Sequence, residues 1–259
     1  MSDGHGVAGP VRFAKYAYPP NRLGYCGPSD HSALLEYVAA DFTDDGLLGL
    51  ARGFAGAWPY LELIAGASHR DPLDPEVVEA YWIGNGLLTA VRPAWLAASL
   101  DERFAVRLGT NRSLLGGLAA SGGVPHHSFH VLAVSPWIGL LRAGFVDQPL
   151  DTIDRCRIRL GTVQSVTSGS ALVETDRMTW DGIRLSPGPR VTGQFETGVN
   201  GYELAGGLQP GDRVALHWNW VCDRLTAPQA QRLVASTRRS VDLVNRAPIV
   251  ALDGAFGTA

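Results

Sequence analysis

The period of the apolar residues changes near residue 150, and this change restricts the chain to folds that join a helical part to a β-rich part. Before that point the spacing is helical. Leu34, Leu35 and Val38 share one side of Ser32 to Ala40, and Ser29 or Asp30 is placed to accept bonds from the first-turn amides. Gly46 to Gly66 is rich in Leu, Ala and Gly, with a break expected at Trp58-Pro59 because proline lacks a backbone donor. Asp74-Pro75-Glu76 supplies an N-cap, a first-turn proline and an acid for a helix running through Tyr81, Trp82 and Leu88. Ser99 with Glu102 reads as a capping box for another, ending around Ser121-Gly122-Gly123. Arg12 to Pro28 places Phe13, Tyr16, Tyr18 and Tyr25 among prolines and glycines, which predicts a rigid non-helical segment.

After Asp151 short β-rich runs alternate with turn residues. Arg157 to Val166 and Ala171 to Thr179 form a predicted hairpin about Ser168-Gly169, and Asp181-Gly182 turns the chain again before Ile183 to Leu185. Val191 to Glu196 reads as a further strand and Gly211 to Leu225 as one long apolar strand. Thr226 and Gln229 make a capping box for a last helix, with Leu233, Val234, Val241 and Val244 on one side and a stop before Pro248. The expectation is an α+β protein: residues 1–150 as a mostly helical domain, and residues 151–259 as a small β-barrel with a C-terminal helix.

Charge removes one class of partner. The net charge is -3, and a polyanion-binding surface needs a cationic surplus, so nucleic acid is not an expected ligand. No stretch approaches the roughly 20 apolar residues that span a bilayer, so no membrane insertion is expected. The three cysteines, Cys26, Cys156 and Cys222, are too few and too scattered for a disulfide framework, which fits a reducing, cytoplasmic location.

Cys156 lies between Arg155 and Arg157, with Arg159 close by, at the predicted start of the first strand. Nearby guanidinium groups would favour the thiolate, the form that binds metals; the alternative is a small buried apolar side chain. His217 lies in the last strand and shares a face with Ala215 and Asn219. His126, His127 and His130 fall within five residues, and His126 with His130 has the i, i+4 spacing able to hold a metal on a helix. The alternative there is a polar turn bonded to backbone. Cys26 is a candidate second thiolate and Cys222 reads as inert.

Cys156, Gly161 and Val163, followed by Gly211, Asp212, Val214 and His217 ahead of an amphipathic helix, resemble the HypC/HupF family of [NiFe]-hydrogenase maturation chaperones over roughly residues 154–246. The N-terminal half resembles a bacterial family associated with hydrogenase gene neighbourhoods, which implies no chemistry. The HypC resemblance implies an OB-like barrel whose Cys156 holds an Fe(CN)2CO precursor transiently, with His217 as its neighbour. It implies as partners the immature hydrogenase large subunit and a HypD-like scaffold, met through Arg155, Arg157, Gly161, Asn219, Tyr25 and Cys26. Such a protein is a chaperone or carrier, not an enzyme. Departures from the family include Leu160 and Ile158 near the cysteine and about 150 residues ahead of it, which point to a specialised relative. Two other readings are a non-catalytic structural or regulatory subunit of a hydrogenase complex, and a metalloprotein built on His126, His127 and His130.

Overall fold

A computed structural model describes residues 7–108, 112–199 and 201–247. The helical part consists of α1 (Gly9–Arg22), α2 (His31–Ala40), α3 (Asp45–Arg52), α4 (Trp58–Ser68), α5 (Pro75–Trp82), α6 (Pro93–Leu108), α7 (Arg112–Ala120), the single turn α8 (His127–Phe129), α9 (Trp137–Arg142) and α10 (Asp147–Cys156). Seven strands follow: β1 (Arg159–Thr167), β2 (Ser170–Trp180), β3 (Leu185–Glu196), β4 (Gly198–Val199), β5 (Tyr202–Glu203), β6 (Arg213–His217) and β7 (Trp220–Arg224). The chain finishes its described part in α11 (Ala227–Arg246). Five strands close on themselves in the order β1-β2-β3-β7-β6, and β4 pairs with β5 outside them. No helix among the described residues is long and apolar enough to cross a membrane.

Several local signals work as elementary chemistry requires. Asp30 accepts from the Ala33 amide and Asp74 from the Glu76 amide, each satisfying an orphan first-turn donor. The Thr226–Gln229 capping box is complete in both directions. Ser168-Gly169 turns β1 into β2, with Gly169 at φ +77°.

Other expectations change. The segment from Arg12 is not an irregular strap: Gly9–Arg22 is α1, with Val11, Phe13, Tyr16 and Tyr18 all buried. Its prolines sit at the first turn and at Pro19 and Pro20 near the end, and burial on nearly every side outweighs the lost amides. Pro59 starts α4 and breaks nothing, because a first-turn amide has no partner to lose. Leu88 lies in a separate 3₁₀ turn beyond α5, and Ser99 and Glu102 are inside α6, not at a helix start. Val191 to Glu196 is the second half of β3, and Val234 of α11 is half exposed.

The largest difference is at Gly211 to Leu225. The run is a hairpin, β6 and β7, turned at Trp218-Asn219, with His217 paired to Trp220. Trp218 takes φ +53°, a left-handed backbone that a bulky residue keeps only where its surroundings hold it. No Gly or Pro marks the turn. Three contacts hold Trp218: its amide donates to the Arg155 carbonyl at 2.8 Å, its carbonyl accepts from Arg159, and its ring stacks on Tyr25 at 4.2 Å.

Within the barrel, Val163, Val173, Phe195, Val214, Leu216 and Val221 pack together. Ala215, Trp218 and Trp220 face outward into the main core, which also holds Phe13, Tyr16, Leu61, Tyr81 and Ile83 from the helices. One apolar core therefore runs through both parts. Arg12 of α1 adds an ionic tie, reaching Asp223 of β7 at 2.9 Å and Glu79 of α5 at 3.0 Å, and Glu79 also meets Arg232 of α11 at 2.7 Å. The change from helix to strand falls between Cys156 and Arg159, since α10 continues past residue 150.

Gly161 is a packing residue inside the barrel and not a partner contact, because a Cβ there would overlap Val173 and come within 3.0 Å of Leu216. Gly161→Ala is expected to cost about 1–3 kcal/mol through overpacking. A urea midpoint unchanged from wild type would contradict this assignment of the barrel interior.

Candidate metal centre

Cys156 and His217 meet because one hydrogen bond joins the residue before the first to the residue after the second. Cys156 is the last residue of α10, and the Trp218 amide on the Arg155 carbonyl fixes the β6–β7 turn against that helix end. His127 arrives from α8. One ligand atom from each of His127, Cys156 and His217 lies within 4.8 Å of the other two. His217 is fully buried, His127 nearly so, and Cys156 is partly accessible.

The tautomer of His217 follows from a proline. In a helix the amide of residue 20 would bond the carbonyl of residue 16, and Pro20 has no amide. The freed Tyr16 carbonyl instead accepts from His217 Nδ1 at 2.7 Å. A carbonyl cannot donate, so Nδ1 carries the proton and the Nε2 lone pair is left open. Nε2 is buried and has no hydrogen-bond partner. A metal-ligating histidine is held in this same way, by its second nitrogen on a backbone carbonyl.

His127 holds two partners. Its Nε2 meets the Cys156 carbonyl at 2.7 Å and its Nδ1 meets the Tyr81 hydroxyl at 3.2 Å. Burial pushes the His127 imidazolium down to about 4 and that of His217 well below the ordinary histidine value. Both rings are therefore neutral near neutral pH.

Cys156 is tuned the other way. Burial pushes its thiol well above the usual cysteine value, and the negative end of α10 gives no help to a thiolate. The arginines do not activate it. Arg155 pairs with Asp151 at 2.9 Å, and Arg157 is buried on Asp154 at 3.0 Å and on the Asp176 carbonyl. Arg159 is taken by Asp154 and the Trp218 carbonyl. Arg157 is thus a structural cation and cannot meet a partner, contrary to the expectation from sequence. Cys156 would become a thiolate only where a bound cation displaced its proton.

The three clustered histidines do not act together. His126 precedes α8 and caps it, its Nδ1 accepting the Ser128 amide at 3.0 Å, while His130 faces the Tyr60 hydroxyl at 3.2 Å. The backbone bond from the His130 amide to the His126 carbonyl is present at 3.2 Å, but His126 is the N-cap with an extended backbone, φ -122° and ψ 148°, and its ring turns back onto the Ser128 amide. Only His127 joins the centre. Sequence spacing singled out the wrong pair, and no local pattern links position 127 to position 156 or 217.

A cavity of about 140 Å3 opens beside His127, Cys156 and His217, bordered by Tyr25, Cys26 and Trp82. Asn21 closes the loop above it by donating to the Cys26 carbonyl at 2.8 Å and the Pro28 carbonyl at 2.7 Å. Tyr25 and Cys26 are exposed at its rim, and Asn219 is exposed on the turn nearby. Cys222 is buried and lies outside the group.

The chain belongs to the DUF6390 family. The match to this family, described as one of unknown function, covers residues 5–251 and so includes His127, Cys156 and His217. No curated protein and no solved structure matches the chain. In this DUF6390 protein the centre draws on α8, α10 and β6, so neither the helical part nor the barrel could form it alone.

Proposed function

We propose that this protein is an accessory factor for [NiFe]-hydrogenase assembly, a cytoplasmic chaperone or carrier that holds the Fe(CN)2CO precursor transiently and meets the immature large subunit. The observation that carries this reading is the pairing of Cys156 with His217, distant in sequence and brought together at one cavity, with the His217 Nε2 lone pair unpartnered. The five-stranded barrel with a capped C-terminal helix supports a HypC-like, OB-like assignment. The donor set suits the cargo: thiolate and neutral imidazole are donors that iron accepts, and the cyanide and carbonyl ligands keep that iron low-spin. The high thiol pKa makes the protonated, released state the resting one, so a proton can compete with the cargo for sulfur.

The exposed Tyr25, Cys26 and Asn219, with the partly exposed Arg155, form the face through which the large subunit or a HypD-like scaffold is met. No turnover is assigned to the protein. The test is capture of the large-subunit precursor by wild type and by Cys156→Ala. Wild type is expected to retain precursor and iron, and the variant to lose the iron. Equal capture by both, with iron in neither, discards the carrier role.

A second reading, a structural or regulatory subunit that stays on the finished enzyme, draws on the cover that loop residues Tyr25 and Cys26 lay over the cavity. Co-purification with the mature hydrogenase in preference to the precursor would favour it.

A further inference from the structure

The helical part contributes more to the centre than a wall. We propose that His127 is a third ligand, completing with Cys156 and His217 a tripod for a borderline divalent cation of the zinc class, with the fourth coordination position open to the cavity for a small anion or thiol. This goes beyond the hydrogenase reading and does not require it.

Four observations carry the inference. The three donor atoms lie within 4.8 Å of one another, close enough to converge on one cation by small rotations. The His217 Nε2 lone pair is buried and unpartnered, and leaving it so is costly unless something occupies it. Two imidazoles and one thiolate are the donors that a zinc-class ion selects over magnesium or calcium. The cavity borders all three ligands, and a site with three protein ligands and one open position is the arrangement that admits an exogenous ligand.

Binding exchanges one of His127's two hydrogen bonds for the metal. The Tyr81 hydroxyl serves either tautomer, donating to a bare Nδ1 or accepting from Nδ1–H when Nε2 ligates. The protons balance: the cation displaces one proton from Cys156 Sγ to solvent, and the neutral imidazoles release none. Cys26 is not in the ligand group and stands at the cavity mouth.

The probe is Co2+ added to the purified full-length chain, read by its visible bands and its near-ultraviolet sulfur-to-cobalt charge transfer. One equivalent with four-coordinate intensity is expected, displaced by Zn2+. His127→Gln is expected to lower affinity by more than the roughly 10–100-fold that loss of an outer-sphere partner costs. Binding within tenfold of wild type and unaltered bands would overturn the tripod. Should His127→Gln fail to fold, paramagnetic NMR of wild type with Co2+ decides: two shifted imidazole N–H signals are expected, and one alone refutes the third ligand. Cys26→Ser should keep the bands and azide should shift them; loss of the bands in Cys26→Ser, or no response to azide, overturns the open position. Because precursor capture is not a readout here, a negative result in either experiment leaves the other standing.

Discussion

Acidification from pH 7 to pH 5 is expected to remove a large part of the folding stability of this protein, well before its carboxylates are protonated. Burial pushes His126 down to about 3, His127 to about 4 and His130 to about 3, while His217 also lies well below its ordinary value. The unfolded chain binds a proton on each of these rings near pH 6.5, and the folded chain does not. The unfolded state thus holds more protons below that value, and stability present above pH 6.5 is lost as the pH falls toward the folded pKa values. Each fully depressed histidine contributes about 1.4 kcal/mol per pH unit, so the three with assigned values together remove about 4 kcal/mol per unit between pH 6 and pH 5. A typical domain has only about 5–15 kcal/mol to lose. Urea midpoints at pH 7.5, 6 and 5 measure it, with the m-value checked for two-state behaviour. A flat profile across that range would mean that the rings are charged or solvated in the folded protein.

The second large effect concerns a carboxylate that no sequence pattern marked. Asp154 is buried two residues before Cys156 and accepts from Arg157 at 3.0 Å, from the Met178 amide at 3.0 Å and from Arg177 at 3.2 Å. It also lies 3.7 Å from Arg159. Arg157 is 2% exposed, and Asp154→Ala removes the nearer of its carboxylate partners, leaving it Asp176 at 3.5 Å. The expected loss is about 3–5 kcal/mol, the cost of removing one partner from a buried pair. Adding Arg157→Met to the Asp154→Ala background should recover a large part of it, because the under-compensated buried charge is then gone too. Asp154 anchors the last turn of α10 to β2, so the single variant should also weaken Co2+ binding at Cys156. Stability within 1 kcal/mol of wild type, or no recovery in the double variant, would show that the ion pairs around Asp154 are not what holds this helix end.

The candidate centre was partly legible in the residues. The order Cys156, Gly161, Val163, then Gly211, Asp212, Val214, His217 pointed to one thiol and one imidazole, and the fold brings those two together. The same residues misled about their surroundings. Arg155, Arg157 and Arg159 looked like activators of sulfur, yet carboxylates and carbonyls claim them, because buried charges must be paired wherever the fold offers a partner. His126 and His130 looked like a pair at helical spacing, but His126 is an N-cap with an extended backbone, and the two rings meet different neighbours. Trp218-Asn219 lacked the glycine that a positive φ at its first position favours, since that φ is imposed on Trp218 by contacts from α10 and Tyr25.

Sequence by itself determined what depends on neighbouring residues: the change from helical to β period, the caps at Asp74 and Thr226, the Ser168-Gly169 turn, and the final amphipathic helix. Those features act over a few positions, where spacing and side-chain type settle the energy. Only the tertiary structure decided that His127 stands with Cys156 and His217, and that His217 offers Nε2. That outcome depends on a hydrogen bond spanning 201 positions, from β6 to a carbonyl that Pro20 leaves free in α1. The direction of a lone pair is set by what the other nitrogen meets, and that is fixed only when separate elements pack.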